Sequence, residues 1–334
     1  EKLPEIAIRS FLRAARFVAD GGATLIRESE IEPVASLPSL ESLEGFAEAG
    51  RRAASRAVVV KLNGGLGTSM GLAKAKSLLP VRPGISFLDL IARQVLHQRA
   101  RHGVDLPLVL MNSYRTRDDS LAALLVHPEL EKQVPLDFLQ HKVPRIDAET
   151  WAPVEWPEDP TLEWCPPGHG DLYPALVSSG ALDWLLASGY DYAFVSNADN
   201  LGATLDLSLL GWLATDGVPL AIEVTARTVL DRKGGHLAQR PDGGLVLREL
   251  AQCPPDELDA FQDIERYAWF NTNNLWLHLP SVRAELERRG GVLGLPLIRN
   301  RKTVDPSDPA SPAVYQLESA MGAAVGIIQG ARAV

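Results

Sequence analysis

Lys61-Leu62-Asn63-Gly64-Gly65-Leu66-Gly67-Thr68-Ser69-Met70-Gly71 follows the run Ala57-Val58-Val59-Val60 and closes on Lys74-Ala75-Lys76-Ser77. A short β-branched run giving way to glycines predicts a buried strand that feeds a loop. Glycines at that point let backbone N–H groups approach a phosphate or a flat base. Spacing excludes two familiar phosphate loops. A dinucleotide fingerprint counted from Gly65 requires glycine where Met70 stands, and a Walker loop ending at Lys76-Ser77 requires glycine at Met70 and Ala75. On spacing alone a structural turn stays open, and Lys76 reads equally well as a solvated lysine.

Downstream the chain alternates strands and helices. Phe87 to Arg101 reads as an amphipathic helix, 106–111 as a strand and Asp118 to Glu131 as a helix. Further strands are expected over 136–140, 190–196 and 220–225, with helices over 172–186 and 207–214. Such alternation predicts an α/β fold with a doubly wound, mostly parallel sheet covered by helices on both faces. Ligands in such sheets sit beyond the carboxyl ends of the strands. Residues 234–250 read as a hairpin around Pro241-Asp242-Gly243-Gly244. Upstream, 1–55 reads as a helical segment packed on the core, with Ser10 as N-cap, Gly21-Gly22 as a stop and a second helix over 40–55.

The 334 residues are 46% apolar and 22% charged, enough for a sizeable core. Lysine and arginine number 33 against 42 acids, a net charge of −9. That balance argues against a general nucleic-acid partner or an anionic membrane surface, since both require a basic field. It leaves room for a small phosphate ligand held by a few local cations. Two cysteines, Cys165 and Cys253, are too few for a disulfide scaffold and suit a reducing, cytoplasmic compartment. No apolar run approaches the roughly 18 residues of a membrane span.

Further motifs follow the glycine loop in order. They are Gln140 with Pro144-Arg145-Ile146, Pro166-Pro167-Gly168-His169-Gly170-Asp171-Leu172-Tyr173, and Asn197-Ala198-Asp199-Asn200-Leu201-Gly202-Ala203. Then come Lys233-Gly234-Gly235, Phe270-Asn271-Thr272-Asn273-Asn274-Leu275-Trp276, Asn300-Arg301-Lys302-Thr303 and Gln316-Leu317-Glu318-Ser319-Ala320-Met321-Gly322. Together with the loop, these blocks resemble the eukaryote-type UTP–glucose-1-phosphate uridylyltransferases, also called UDP-glucose pyrophosphorylases. The resemblance spans roughly 57–325. It implies a glycosyltransferase-A-like nucleotidyltransferase core over 56–334.

The reaction implied is transfer of a uridylyl group, with glucose 1-phosphate attacking the α-phosphorus of UTP and pyrophosphate leaving. A sugar phosphate has a second pKa of about 6, so the nucleophile is already ionised and needs no general base. Positioning and neutralisation of oxyanions carry the rest. The resemblance implies Lys76 and Lys302 as the phosphate cations. It implies Asp199 as the ligand of Mg²⁺, an ion that favours one or two carboxylates plus phosphate oxygens. Nucleotide contacts are expected from Leu62, Asn63, Gly64, Gly65, Gln140, Gly168 and Asn197, with Gln140 offering a donor and an acceptor to uracil. Sugar contacts are expected from His169, Gly235, Glu249, Asn271 and Asn273.

The chain departs from the family pattern at a few positions. Tyr114-Arg115 replaces Phe-Asn, Ala73-Lys74-Ala75 precedes Lys76 in unusual form, and Arg301 replaces the proline before Lys302. The alternatives are a pyrophosphorylase for another sugar 1-phosphate, such as galactose or N-acetylglucosamine, and a non-catalytic nucleotide-sugar sensor. Family members usually continue into a C-terminal left-handed β-helix, and the chain stops at Val334, where that domain is expected to begin.

Overall fold

The computed structural model describes residues 3–66, 74–131 and 133–334. Gly67-Thr68-Ser69-Met70-Gly71 and Ala73 lie outside the described residues. Chain order is α1 (Glu5–Ala19), α2 (Ala47–Ala53), β1 (Ala57–Asn63), α3 (Phe87–His102), β2 (Leu108–Asn112), α4 (Arg117–Leu124) and β3 (Asp137–Leu139). Next come α5 (Leu172–Ser178), α6 (Ala181–Ala187), β4 (Tyr192–Asn197), α7 (Leu207–Asp216), β5 (Leu220–Ala226), β6 (His236–Gln239) and β7 (Leu245–Arg248). The chain then forms β8 (Trp269–His278), α8 (Leu279–Arg288), β9 (Leu297–Thr303) and β10 (Ala313–Ser319).

The centre of the large sheet runs β3-β2-β1-β4, all parallel. The flank is antiparallel: β8 pairs with β4 and β5, and the β6–β7 hairpin joins through His236↔Phe270. Register aligns the carboxyl ends of the parallel strands, with Asn197↔Leu62, Leu62↔Met111 and Asn63↔Asn112.

Period-two alternation sorts the strand side chains into two layers. Val58, Val60, Val109, Met111, Ala193 and Val195 pack with Leu176, Leu182, Leu185, Val282 and Leu286 from α5, α6 and α8. Ala57, Val59, Leu108, Leu110, Tyr192 and Phe194 face Leu88, Ile91, Val95, Leu209 and Leu213 from α3 and α7. Each fully buried aliphatic stabilises by roughly 1.5–3 kcal/mol relative to exposure. The strand ends that carry the chemistry are therefore fixed from both sides. Helix α3 is set by a capping box, in which the Asp89 amide donates to Ser86 Oγ at 3.2 Å and the Ser86 amide to Asp89 Oδ2 at 2.8 Å.

Several elements differ from expectation for local reasons. Ser10 caps nothing, because α1 begins after Pro4, whose fixed φ suits a helix start. Residues 172–186 form two helices, broken where Gly180 takes φ +76°. The helix expected over 118–131 ends at Leu124, with a short 3-10 turn at Pro128–Leu130. The 1–55 stretch is helical at Glu5–Ala19 and across the 3-10 and α turns of 40–56, but Glu32-Pro33 pairs with β6 between them.

Candidate active site

A cavity of about 260 Å³ opens where β1, β2 and β4 end. Its walls include Leu62, Asn63, Gly64, Gly65, Lys76, Gln140, Gly168, His169, Asn197 and Asp199. A larger recess of about 570 Å³ lies between α1 and residues 292–297, lined mainly by apolar groups. The smaller cavity holds the phosphate-type donors, so chemistry rather than size selects it.

Gly64 and Gln140 form one edge. The Gln140 amide donates to the Asn112 carbonyl at 2.8 Å, which fixes its backbone to the end of β2. A Cβ on Gly64 would overlap the Gln140 carboxamide, so glycine is required for that side chain to lie flat against the loop. Gly168, at φ +79°, forms the opposite edge, and a Cβ there would stand 2.5 Å from the Ser319 carbonyl. Beside it His169 Nδ1 accepts from the Met321 amide at 3.0 Å. Burial pushes the imidazole down to about 4, so the ring is neutral at pH 7 and carries its proton on Nε2.

The described residues on either side of the glycine loop pair with each other. Leu66 bridges to Ala75, and the Lys76 amide donates to the Gly65 carbonyl at 3.0 Å. Lys76 Nζ then stands 3.8 Å from Asp199 Oδ2, and both side chains are 45% exposed. Asp199 follows β4 in a turn closed by the Asn200 amide donating to the Asn197 carbonyl at 3.3 Å, while the Ala198 amide still donates to the Leu62 carbonyl of β1 at 3.1 Å. No group of three or more acidic, histidine or cysteine side chains gathers as a metal cage among the described residues. A lone carboxylate at a phosphate-sized opening fits Mg²⁺, which completes its shell with substrate oxygens and water.

A second polar group lies on the β8 side. The Asn271 amide donates to the Gly235 carbonyl at 2.9 Å, and Asn271 Nδ2 donates to Asn273 Oδ1 at 3.0 Å. Glu249 packs against Gly235, its Oε1 2.6 Å from where a Cβ would stand. Burial raises the Glu249 pKa, and a hydrogen bond from the Asn271 side chain partly offsets that rise. Asn273 holds φ +57°, the left-handed region that asparagine tolerates. The 3-10 turn Met321–Gly326 joins the two groups, with Met321 on His169 and Gly322 beside Asn271.

The sequence model of one protein family, described as UTP–glucose-1-phosphate uridylyltransferase, matches residues 9–334. The chain belongs to that family. It is similar to the probable UTP–glucose-1-phosphate uridylyltransferase of Schizosaccharomyces pombe, 42% identical over 281 residues, covering 84% of this chain and 54% of that protein. The Solanum tuberosum enzyme of the same name is also 42% identical, over 80% of this chain and 54% of its own length. The chain thus spans about half the length of the curated relatives it matches. Among solved structures, the Trypanosoma brucei UDP-glucose phosphorylase superposes with a TM-score of 0.92 at 45% identity, over 99% of this chain and 71% of that one. A variant of the Leishmania major UDP-glucose pyrophosphorylase, solved in complex with UDP-glucose, gives 0.91 at 44% identity, over 99% and 72%.

Within this UTP–glucose-1-phosphate uridylyltransferase family member, most residues singled out from the sequence fall into the two groups just described. Asn63 is the exception in kind. It borders the cavity, but its amide is turned inward, donating to Asn112 Oδ1 at 2.7 Å and Ser120 Oγ at 2.8 Å and accepting from Ser77 Oγ at 2.5 Å. Lys302 is the exception in place. It lies exposed on β9 opposite Val314 and is absent from the cavity wall; its charge offsets part of the rise that burial gives the Glu318 pKa. Arg301 lets β9 continue through a position where proline would interrupt it, pairing with Tyr315. Lys61, Ser77 and Asn112 carry buried hydrogen bonds under the site, Glu223 carries partly buried ones, and none of the four is singled out from the sequence. The available signal was a lysine inside an otherwise apolar strand.

Proposed function

We propose that this chain transfers a uridylyl group from UTP to glucose 1-phosphate, giving UDP-glucose and pyrophosphate reversibly. The observation that carries the reading is one cavity in which a glycine-backed carboxamide, Gln140 on Gly64, faces a lysine–aspartate pair, Lys76 and Asp199. The carboxamide matches the imide edge of uracil, and the pair matches a triphosphate with its divalent ion. UDP-glucose in the related Leishmania structure supports the same class of ligand.

A phosphate oxygen of glucose 1-phosphate forms a bond to the α-phosphorus as the bond from that phosphorus to the pyrophosphate oxygen breaks. The nucleophile is already anionic at pH 7, and no proton has to move. Lys76 neutralises oxygens of both reacting phosphates; Lys302 is the second cation on this reading, although β9 holds it outside the cavity wall. Mg²⁺, when bound, supplies charge neutralisation on the triphosphate, with Asp199 as its ligand. Leu62, Gly65, Gly168 and Asn197 close on the nucleotide. His169 Nε2–H, Gly235, Glu249, Asn271 and Asn273 serve the sugar hydroxyls. Residues 56–334 form the catalytic unit on this reading, with 1–55 packed on it. The two buried, unpaired cysteines suit a cytoplasmic setting.

A panel of sugar 1-phosphates assayed by pyrophosphate release tests the assignment. Glucose 1-phosphate is expected to turn over fastest. Faster turnover of galactose or N-acetylglucosamine 1-phosphate would reassign the sugar, and UTP binding without turnover of any would make the chain a sensor.

A further inference from the structure

Lys61 is 2% exposed in the middle of an apolar strand. Its ammonium points to the α3 and α7 layer, donating to Ser196 Oγ at 2.7 Å and to the Ala203 carbonyl at 2.8 Å. Burial lowers its pKa to about 8, with attraction to Glu223 opposing part of the fall. Taking a cation out of water costs free energy that well-formed hydrogen bonds and opposite charge must offset, and an apolar residue of its size avoids that cost. Here the hydrogen bonds hold the segment that carries Asp199. That segment is gripped at alternate carbonyls: Leu201 by Gln94 Nε2 at 2.9 Å, Ala203 by Lys61, and Leu205 by Gln98 Nε2 at 2.9 Å.

Glu223 holds the other half of the site. Its carboxylate accepts from Asn274 Nδ2 at 2.8 Å and Trp276 Nε1 at 2.6 Å, and its carbonyl accepts from Thr272 Oγ1 at 2.7 Å. Those bonds bracket a bulge in β8. Register passes from Glu223↔Asn274 to Val224↔Asn271, so Thr272 and Asn273 are pushed out of the ladder. The bulge is what brings Asn271 and Asn273 onto one another. Burial raises the Glu223 pKa, and the hydrogen bonds from Asn274 and Trp276 together with the Lys61 charge counter that rise.

We infer that Lys61 and Glu223 are positioning residues, Lys61 for the segment that carries Asp199 and Glu223 for the bulge that carries Asn271 and Asn273. The inference rests on the proposed uridylyl transfer. Misplacing reacting groups by about an ångström can cost on the order of 10²-fold in rate.

The test uses the full chain with Lys61→Met, Glu223→Gln and Gln98→Leu, each checked for folding by urea unfolding. Steady-state kinetics with UTP and glucose 1-phosphate are read alongside Mn²⁺ binding by electron paramagnetic resonance in the presence of UTP. Lys61→Met is expected to lower kcat about tenfold or more and to weaken Mn²⁺ binding at least threefold. Glu223→Gln is expected to act on the sugar side, raising KM for glucose 1-phosphate at least threefold. A merely structural role would lower the urea midpoint and leave these values alone. Folded variants whose kcat, KM and Mn²⁺ affinity all stay within threefold of wild type overturn the inference. If Lys61→Met does not fold, Glu223→Gln and Gln98→Leu decide by the same limits. A wild-type chain that releases no pyrophosphate defeats the underlying reading instead, and the Mn²⁺ affinities still decide the inference.

Discussion

Replacing Lys76 with alanine separates catalysis from stability. The ammonium stands 3.8 Å from Asp199 Oδ2 with both partners 45% exposed. At that distance the Coulomb attraction is about 1 kcal/mol in a water-like dielectric and about 4 kcal/mol at an effective constant of about 20. Half-exposed pairs lose most of that to solvation and side-chain entropy, leaving about 0–1 kcal/mol. The Lys76 backbone bond to Gly65 survives the substitution, so that pairing is kept. Lys76→Ala should therefore shift the urea unfolding free energy by no more than about 1 kcal/mol. Removing a cation from transferring phosphates should instead cost about 2.7–4 kcal/mol of transition-state stabilisation, a fall of about 10²–10³ in kcat. Pyrophosphate release at saturating UTP and glucose 1-phosphate measures this. A kcat within threefold of wild type, in a protein of unchanged stability, would refute the assignment of Lys76.

Two further outcomes follow from the geometry. Gln140→Leu removes the carboxamide against Gly64 while keeping its volume, so KM for UTP should rise by about 10- to 100-fold, the range of one or two lost hydrogen bonds; an unchanged KM in steady-state assays would exclude Gln140 from base recognition. His169 and His236 are held neutral by burial, at about 4 and about 3. Their folded values lie below the unfolded value of about 6.5, so their contribution to stability is intact above that pH and is lost as pH falls toward 4 and 3, roughly 2 kcal/mol each at pH 5. Carboxylates whose pKa values are raised, such as Glu223 and Glu249, titrate in the opposite sense. The clean reading is therefore a difference: His236→Phe should lose less stability than wild type between pH 8 and pH 5 by urea unfolding, and equal losses would contradict the burial argument.

The parallel centre of the sheet was legible because β-branched runs of fixed length alternate with amphipathic helices. Val58 to Val60 illustrate this, since neighbours on that strand go to opposite layers. The flank was harder to read. Asn271-Thr272-Asn273-Asn274 has poor strand propensity, yet lies inside β8 because a bulge and the Glu223 hydrogen bonds hold it there. The β9–β10 hairpin was hidden by Arg299, Arg301 and Lys302, exposed charges on a strand whose partner buries only Val314 and Leu317. In the site, Lys76, Asp199, Gln140 and Gly168 were named from motifs through the family resemblance, and the fold gathers them around one cavity at the strand ends. Lys61 and Glu223 were missed because their work lies in contacts across 142 and 51 positions of sequence, to Ala203 and Asn274, which no local pattern encodes.

In the proposed reaction the sugar phosphate attacks the α-phosphorus of UTP in this cavity. Glucose 1-phosphate carrying ¹⁸O on its phosphate oxygens, incubated with UTP, Mg²⁺ and the full chain, tests it through ³¹P NMR isotope shifts. All of the label is expected to stay in UDP-glucose, part of it at the bridge between the two phosphorus atoms, with none in pyrophosphate. Unlabelled UDP-glucose, label in pyrophosphate, or no UDP-glucose at all would contradict it.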